Sequence, residues 1–137
     1  MASENVMRLW NDCMDGGNVR PKFPVTAKTT HYTVTSNDFG SILTTRGNEG
    51  SLIFTLPAAS SKNAGEWVLF INIANQIMLI NGADEGLVTI DDLTADSIAF
   101  ATENELIGGM FLAISDGTSW LVVPIATETQ TITVLSG

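Results

Sequence analysis

The sequence predicts an all-β domain: an antiparallel β-sandwich or jelly roll of about ten short strands, with a short N-terminal helix and an extended arm. Three observations predict it. The apolar segments are short and rich in Val, Ile, Thr and Phe, the residues that suit a pleated, half-buried surface. They are punctuated by turn signals such as Asn81-Gly82 and Asp116-Gly117, without helical patterns between them. At 137 residues and 45% hydrophobic composition the chain suits one domain with a core large enough to need no disulfide or metal staple.

The elements follow in chain order. Ser3 to Met14 is the one segment with helical spacing: Ser3 caps it, Val6, Met7, Trp10, Cys13 and Met14 share a face, and Gly16-Gly17 stops it. Pro21 and Pro24, with basic neighbours, read as an extended arm held out of the sheet, since proline cannot donate to a ladder. Residues 1–30 are therefore helix and arm, and residues 31–137 the β body. Strands are expected at His31 to Ser36, Ser41 to Thr45, Ser51 to Leu56, Trp67 to Ile73 and Gln76 to Ile80. Leu87 to Ile90, Ser97 to Ala101, Met110 to Ser115, Trp120 to Ile125 and Thr131 to Leu135 complete the set. Asp116-Gly117 marks the clearest hairpin. No repeat of fixed period is visible, which argues against a regular solenoid. Runs such as Val68-Leu69-Phe70-Ile71 are apolar on both faces, so a second layer must cover the outer one: the N-terminal helix or another subunit.

Charge excludes several functions. The formal net charge is −9, and it is uneven: residues 1–30 carry Arg8, Arg20, Lys22 and Lys28 against Glu4, Asp12 and Asp15, while the body carries Arg46 and Lys62 against twelve acids. Duplex binding needs several cations to displace condensed counterions, so no nucleic-acid partner is expected for the body. No stretch has the apolar length of a membrane span, and Glu4, Asn5 and Arg8 interrupt the place where a secretory leader would be apolar. A cytoplasmic site of synthesis is expected.

The chain holds one cysteine and one histidine. Cys13 reads as a small buried hydrophobe, and His31 as a sheet-edge residue without a neighbouring acid. No catalytic residue, cofactor or metal site is expected. The acids Asp84, Glu85, Asp91, Asp92, Asp96, Glu103 and Glu105 crowd loops 84–105, but their spacing matches no calcium loop; a solvated acidic rim is favoured over a cation or glycan site. Trp67 and Trp120 each open an apolar strand, and core packing is favoured over sugar stacking.

Several segments recur in a familiar order. His31-Tyr-Thr-Val-Thr-Ser-Asn-Asp-Phe-Gly is followed by Gly50-Ser-Leu-Ile-Phe-Thr-Leu-Pro-Ala-Ala and Gly65-Glu-Trp-Val-Leu-Phe-Ile. Gln76-Ile-Met-Leu-Ile-Asn-Gly and Ser115-Asp-Gly-Thr-Ser-Trp-Leu-Val come after. This order resembles a β-module of tailed-bacteriophage virion proteins, over roughly residues 31–123, with Thr94 to Leu106 departing from it as an inserted loop. The resemblance is strongest to the capsid decoration, or cement, proteins. It implies a homotrimeric structural protein of the capsid exterior, assembled in the host cytoplasm, that binds the major capsid protein at symmetric capsomer joints. The arm residues Arg8, Trp10, Arg20, Lys22 and Phe23 are the expected partner contacts. The alternatives are a phage tail-fibre or receptor-binding module and a lectin-like glycan-binding domain.

Overall fold

The structure is a computed structural model that describes residues 22–126 and 130–136. The helix expected at Ser3 to Met14, and with it Arg8, Trp10 and Arg20, lies outside the described residues. Within them are eleven strands and one 3-10 turn, Ser36–Asp38. The strands are β1 Val25–Ala27, β2 Tyr32–Thr33, β3 Ser41–Thr44, β4 Leu52–Thr55, β5 Trp67–Ile71 and β6 Met78–Asn81. Then follow β7 Leu87–Thr89, β8 Asp92–Phe100, β9 Met110–Ser115, β10 Trp120–Ile125 and β11 Ile132–Ser136.

All eleven belong to one curled, mixed sheet. Sequence alternation decides which side chains of a strand face the core, and here that pattern is clear. In β4, Leu52 and Phe54 are fully buried while Ile53 and Thr55 stay half-exposed; in β5, Val68 and Phe70 are buried between half-exposed Trp67, Leu69 and Ile71. Alternation does not choose neighbours, and here the antiparallel expectation needs correction. Odd strands β1, β3 and β5 pair in parallel, and so do even strands β2, β4 and β6. The chain thus winds between two arms of the sheet, laying one strand on each arm per turn. From β7 onward the pairing is mostly antiparallel, β7 with β10 being the parallel exception.

The winding is a structural repeat without a fixed period in the sequence. Val25 aligns with Ile42 and Ile42 with Leu69, yet the two turns have very different lengths because the loops absorb the difference. The arms share one core. Phe54 of β4 meets Phe70 of β5 with ring centroids 4.9 Å apart, and Phe100 of β8 meets Phe111 of β9 at 4.8 Å. Burial of each such ring contributes roughly 1.5–3 kcal/mol.

Strand β8 joins the arms. Its first half pairs with β7 and its second half with β6, both on one side, while β11 lines the other. The stretch Thr94 to Leu106, expected as an inserted loop, therefore contains much of the longest strand. Small residues make this fit: Ser97 and Ala99 sit opposite the core face of Ile98 and Phe100 and are buried too.

The arm expected at residues 1–30 reaches into the sheet. β1 pairs with β3, Pro24 O accepts from Ile42 N at 2.8 Å, and Lys28 N donates to Thr44 O at 2.8 Å. Pro24 is compatible because it flanks an edge strand, where its ring replaces no ladder donor and its carbonyl still accepts.

Candidate partner-binding surface

Three of the five segments singled out in the sequence, those that begin at His31, Gly50 and Ser115, converge on one side chain. Trp120, which closes Ser115-Asp-Gly-Thr-Ser-Trp, is 1% exposed. Its indole Nε1 donates to Pro57 O at 2.6 Å, the proline of Phe54-Thr-Leu-Pro. Phe39, next to Asp38 in the first motif, lies against its ring with centroids 5.9 Å apart. The turn before it is held by Asp116, whose Oδ1 accepts from Thr118 N and Ser119 N at 2.9 and 2.8 Å. Those bonds, Ser119's first, lower the Asp116 pKa. Gly117 follows with φ +91°, a conformation that favours glycine. Asp38 organises the first motif: Oδ2 accepts from Tyr32 Oη at 2.7 Å and Thr35 N at 2.8 Å. The hydrogen bond to Asp38, then burial, raise the Tyr32 pKa. These residues build a scaffold.

Two buried asparagines, absent from the sequence-based candidates, clamp the loops. Asn72 Nδ2 donates to Gln76 O and Leu106 O at 2.8 and 3.1 Å, and its Oδ1 accepts from Thr45 Oγ1 at 2.6 Å. Asn63 Oδ1 accepts from Ser115 Oγ at 2.7 Å and Ser60 N at 2.9 Å, and Nδ2 donates to Ala58 O at 3.0 Å. A polar residue inside the apolar run Ile71-Asn72-Ile73 was the one signal available for Asn72.

The expected chemistry-bearing residues are dispersed. His31 Nδ1 accepts from Ile53 N at 3.0 Å, prolonging the short β2–β4 ladder with a side chain. The acids of loops 84–105 divide between separate turns. Asp84 and Glu85 flank the β6–β7 excursion, where Glu85 N donates to Asp96 Oδ1 at 2.8 Å; Asp91 and Asp92 sit at the β7–β8 turn. Glu103 and Glu105 occupy the β8–β9 loop. No group of three or more His, Cys, Asp or Glu among the described residues is placed to hold a metal ion. A small polar recess of about 170 Å³ lies between Pro57, Asp84, Glu85 and Trp120. No helix among the described residues is long and apolar enough to cross a membrane.

The prominent surface feature is apolar. The register places Val25, Ile42, Leu69, Leu112 and Val123 in one row across five strands. Trp67, Ile114, Leu121 and Val88 form a second row, and Ile71, Met110 and Ile125 a third. All lie opposite the core face. Val25 and Val123 remain 64% and 50% exposed. Contiguous apolar area of this kind marks an interaction surface. At one end Gly65, Trp67, Leu112 and Ile114 line an open groove of about 400 Å³. Phe23, one of the expected partner contacts, stands there perpendicular to Trp67 with centroids 5.3 Å apart, and Lys22 beside it is exposed. Comparison of the sequence with protein-family models and with characterised proteins finds no match.

Proposed function

We propose that this chain is a structural virion protein that decorates and stabilises a bacteriophage capsid by binding at symmetric capsomer joints. The observation that carries the reading is the convergence on Trp120. Segments that resemble the phage β-module in order also meet in space, through Phe39, Pro57 and Trp120, as parts of one architectural unit would. The same reading takes the curled sheet as a β-sandwich in its packing, because two arms share one core.

In this reading the protein is non-enzymatic and works without cofactor or metal. It assembles in the host cytoplasm, associates as a homotrimer and binds the major capsid protein on the capsid exterior, away from nucleic acid and membrane. Each subunit supplies modest contact area, and three linked copies raise the effective affinity for a symmetric site. Of the arm contacts Arg8, Trp10, Arg20, Lys22 and Phe23, the basic three make the smaller, charge-dependent contribution: the body's acids would be repelled by an acidic shell while a weakly basic segment is not. Such contacts weaken with salt.

Quantitative mass spectrometry of purified particles of the encoding phage tests the proposal. A decoration protein is present in tens to hundreds of copies, released without loss of the tail. A few copies that co-purify with tails would replace it with the tail-fibre or receptor-binding reading. Absence from particles, with retention on a glycan array abolished by Trp67→Ala, would replace it with the lectin-like one.

A further inference from the structure

The sheet has a third edge besides β1 and β2, and it is built unlike those two. β11 pairs with β8 on one side only, and among the described residues no strand lies on its other side. We propose that this edge accepts an extended segment of a partner protein as an added strand, one uncharged in its middle and basic at its ends.

The ladder fixes which groups are on offer. Ala101 N donates to Thr131 O at 2.8 Å, so Thr131 and Ala101 form a hydrogen-bonded pair. Such pairs alternate with unbonded ones in an antiparallel ladder. Thr133 and Leu135 therefore bond to β8, while Ile132 and Val134 turn their N–H and C=O outward. Unmatched backbone groups of this kind are a template for another strand. The same two residues leave the core unfinished. Ile132 and Val134 pack their side chains against the core cluster, yet both stay half-exposed, because no neighbouring strand flanks them on the open side. An added strand would cover them with its own alternate apolar side chains.

Sheet edges that stay free are blunted by brevity, proline or charge. β2 has two residues, β1 follows Pro24 and lies between Lys22 and Lys28, and β10 carries Pro124 beyond its two-residue pairing with β7. β11 has none of these devices: Thr131 to Ser136 holds no proline and no charge, and Leu135 is 56% exposed. Charge selects the occupant. Asp92 and Asp96 flank the Ser136 end of the strand. Glu103 and Glu105 flank the Thr131 end, where Gln130 Nε2 donates to Glu105 O at 2.9 Å. Lys22, Lys28, Arg46 and Lys62 all precede β5 in the chain, so no cation among the described residues lies on β8, β11 or the β8–β9 loop. A second copy paired about a two-fold axis would set its Glu103 and Glu105 against Asp92 and Asp96, and like charges oppose that arrangement. A strand with lysine or arginine at both ends meets an acid pair at each.

The probe is a synthetic peptide, Lys-Lys-Thr-Val-Thr-Val-Thr-Lys-Lys, added to the full-length protein and followed by titration and by amide hydrogen exchange. In the free protein the amides of Ile132 and Val134 should exchange fast, and those of Thr133 and Leu135 slowly. Saturating peptide should slow the first pair, and its affinity should fall as salt is raised. The same peptide with glutamates in place of the lysines should not bind; equal binding would overturn the charge selection. Val134→Pro removes an outward donor and spares the β8 ladder, whereas Thr133→Lys sets a charge on the edge. Each should weaken binding by about tenfold or more while the exchange pattern of β8 is retained. Peptide that leaves Ile132 and Val134 unprotected overturns the proposal. So does slow exchange at both in the free protein at low concentration, which would show the edge covered by its own chain. Protection that grows with protein concentration alone would make a second copy the occupant instead.

Discussion

Single side chains hold this sheet together at points where loops cross its arms. Trp120 spans the distance from β10 to Pro57, and Asn72 joins β5 to loops at Gln76 and Leu106. Trp120→Phe removes the donor from Pro57 O and part of a filled core, with an expected loss of about 2 kcal/mol in denaturant unfolding. Asn72→Leu keeps the volume and strips the hydrogen bonds, leaving Leu106 O, Gln76 O and Thr45 Oγ1 without that partner; about 3 kcal/mol or more is expected. Two ionisable groups give the stability a pH signature. The lowered pKa of Asp116 means its contribution is present above the ordinary carboxylate range and is lost as pH falls through the depressed value. Asp116→Asn keeps the acceptor of the turn without titrating, so acid unfolding curves of the two proteins should converge at low pH. Tyr32 works in the opposite direction: its raised pKa makes stability complete below about pH 10 and lost as pH rises further. Tyr32→Phe should abolish that alkaline decline; an identical profile in both proteins would refute the role given to Asp38.

Strands show how far local pattern goes. The β9–β10 hairpin was legible in full, because Asp116-Gly117 names the turn and the flanking residues alternate, and the pairing Ser115 with Trp120 follows from it. The faces of β4 and β5 were legible for the same reason. The partners were not. Period-two alternation assigns a side chain to a face but says nothing of whether the next strand is reached by a tight turn or by a whole winding. Unequal loops concealed the alignment of Val25, Ile42 and Leu69. The buried asparagines were illegible because their partners at Leu106 and Ser115 lie far along the chain. Gly109 illustrates the same limit. In the sequence Gly108-Gly109 is no more than a pair of glycines ahead of β9, yet a Cβ at Gly109 would stand 2.4 Å from the buried ring of Phe100. Gly109→Ala should displace that ring from Phe111, at a cost of about 2 kcal/mol. Thermal denaturation beside Gly108→Ala, which meets no neighbouring atom but carries φ +90°, separates crowding from backbone strain.

For the molecule as a whole, a formal charge of −9 coexists with an outer face free of charge. That combination favours assembly through apolar contacts and long-range repulsion elsewhere. Static light scattering at micromolar concentration should report a mass near three times 14.6 kDa if the homotrimer is correct; a clean monomer would count against it. Metal removal should be silent. EDTA is expected to move the melting midpoint by less than about 2 °C, whereas a fall of about 10 °C would reveal a structural cation, since ~1 kcal/mol shifts the midpoint of a domain this size by a few degrees.

The alternating winding also imposes an order of events during synthesis. β5 emerges with one edge satisfied by β3, and its other edge waits for β9, which is encoded much later. β6 waits similarly for β8. Until those C-terminal strands leave the ribosome, the nascent chain presents two open strand edges beside unsealed phenylalanines at positions 54 and 70. Non-local pairing closes slowly, on a scale of about milliseconds to seconds, and an exposed edge is a template for misassembly. Refolding from denaturant should therefore be slow and yield-limited by concentration, and chains terminated before Met110 should collect in aggregates instead of in a partly folded soluble form.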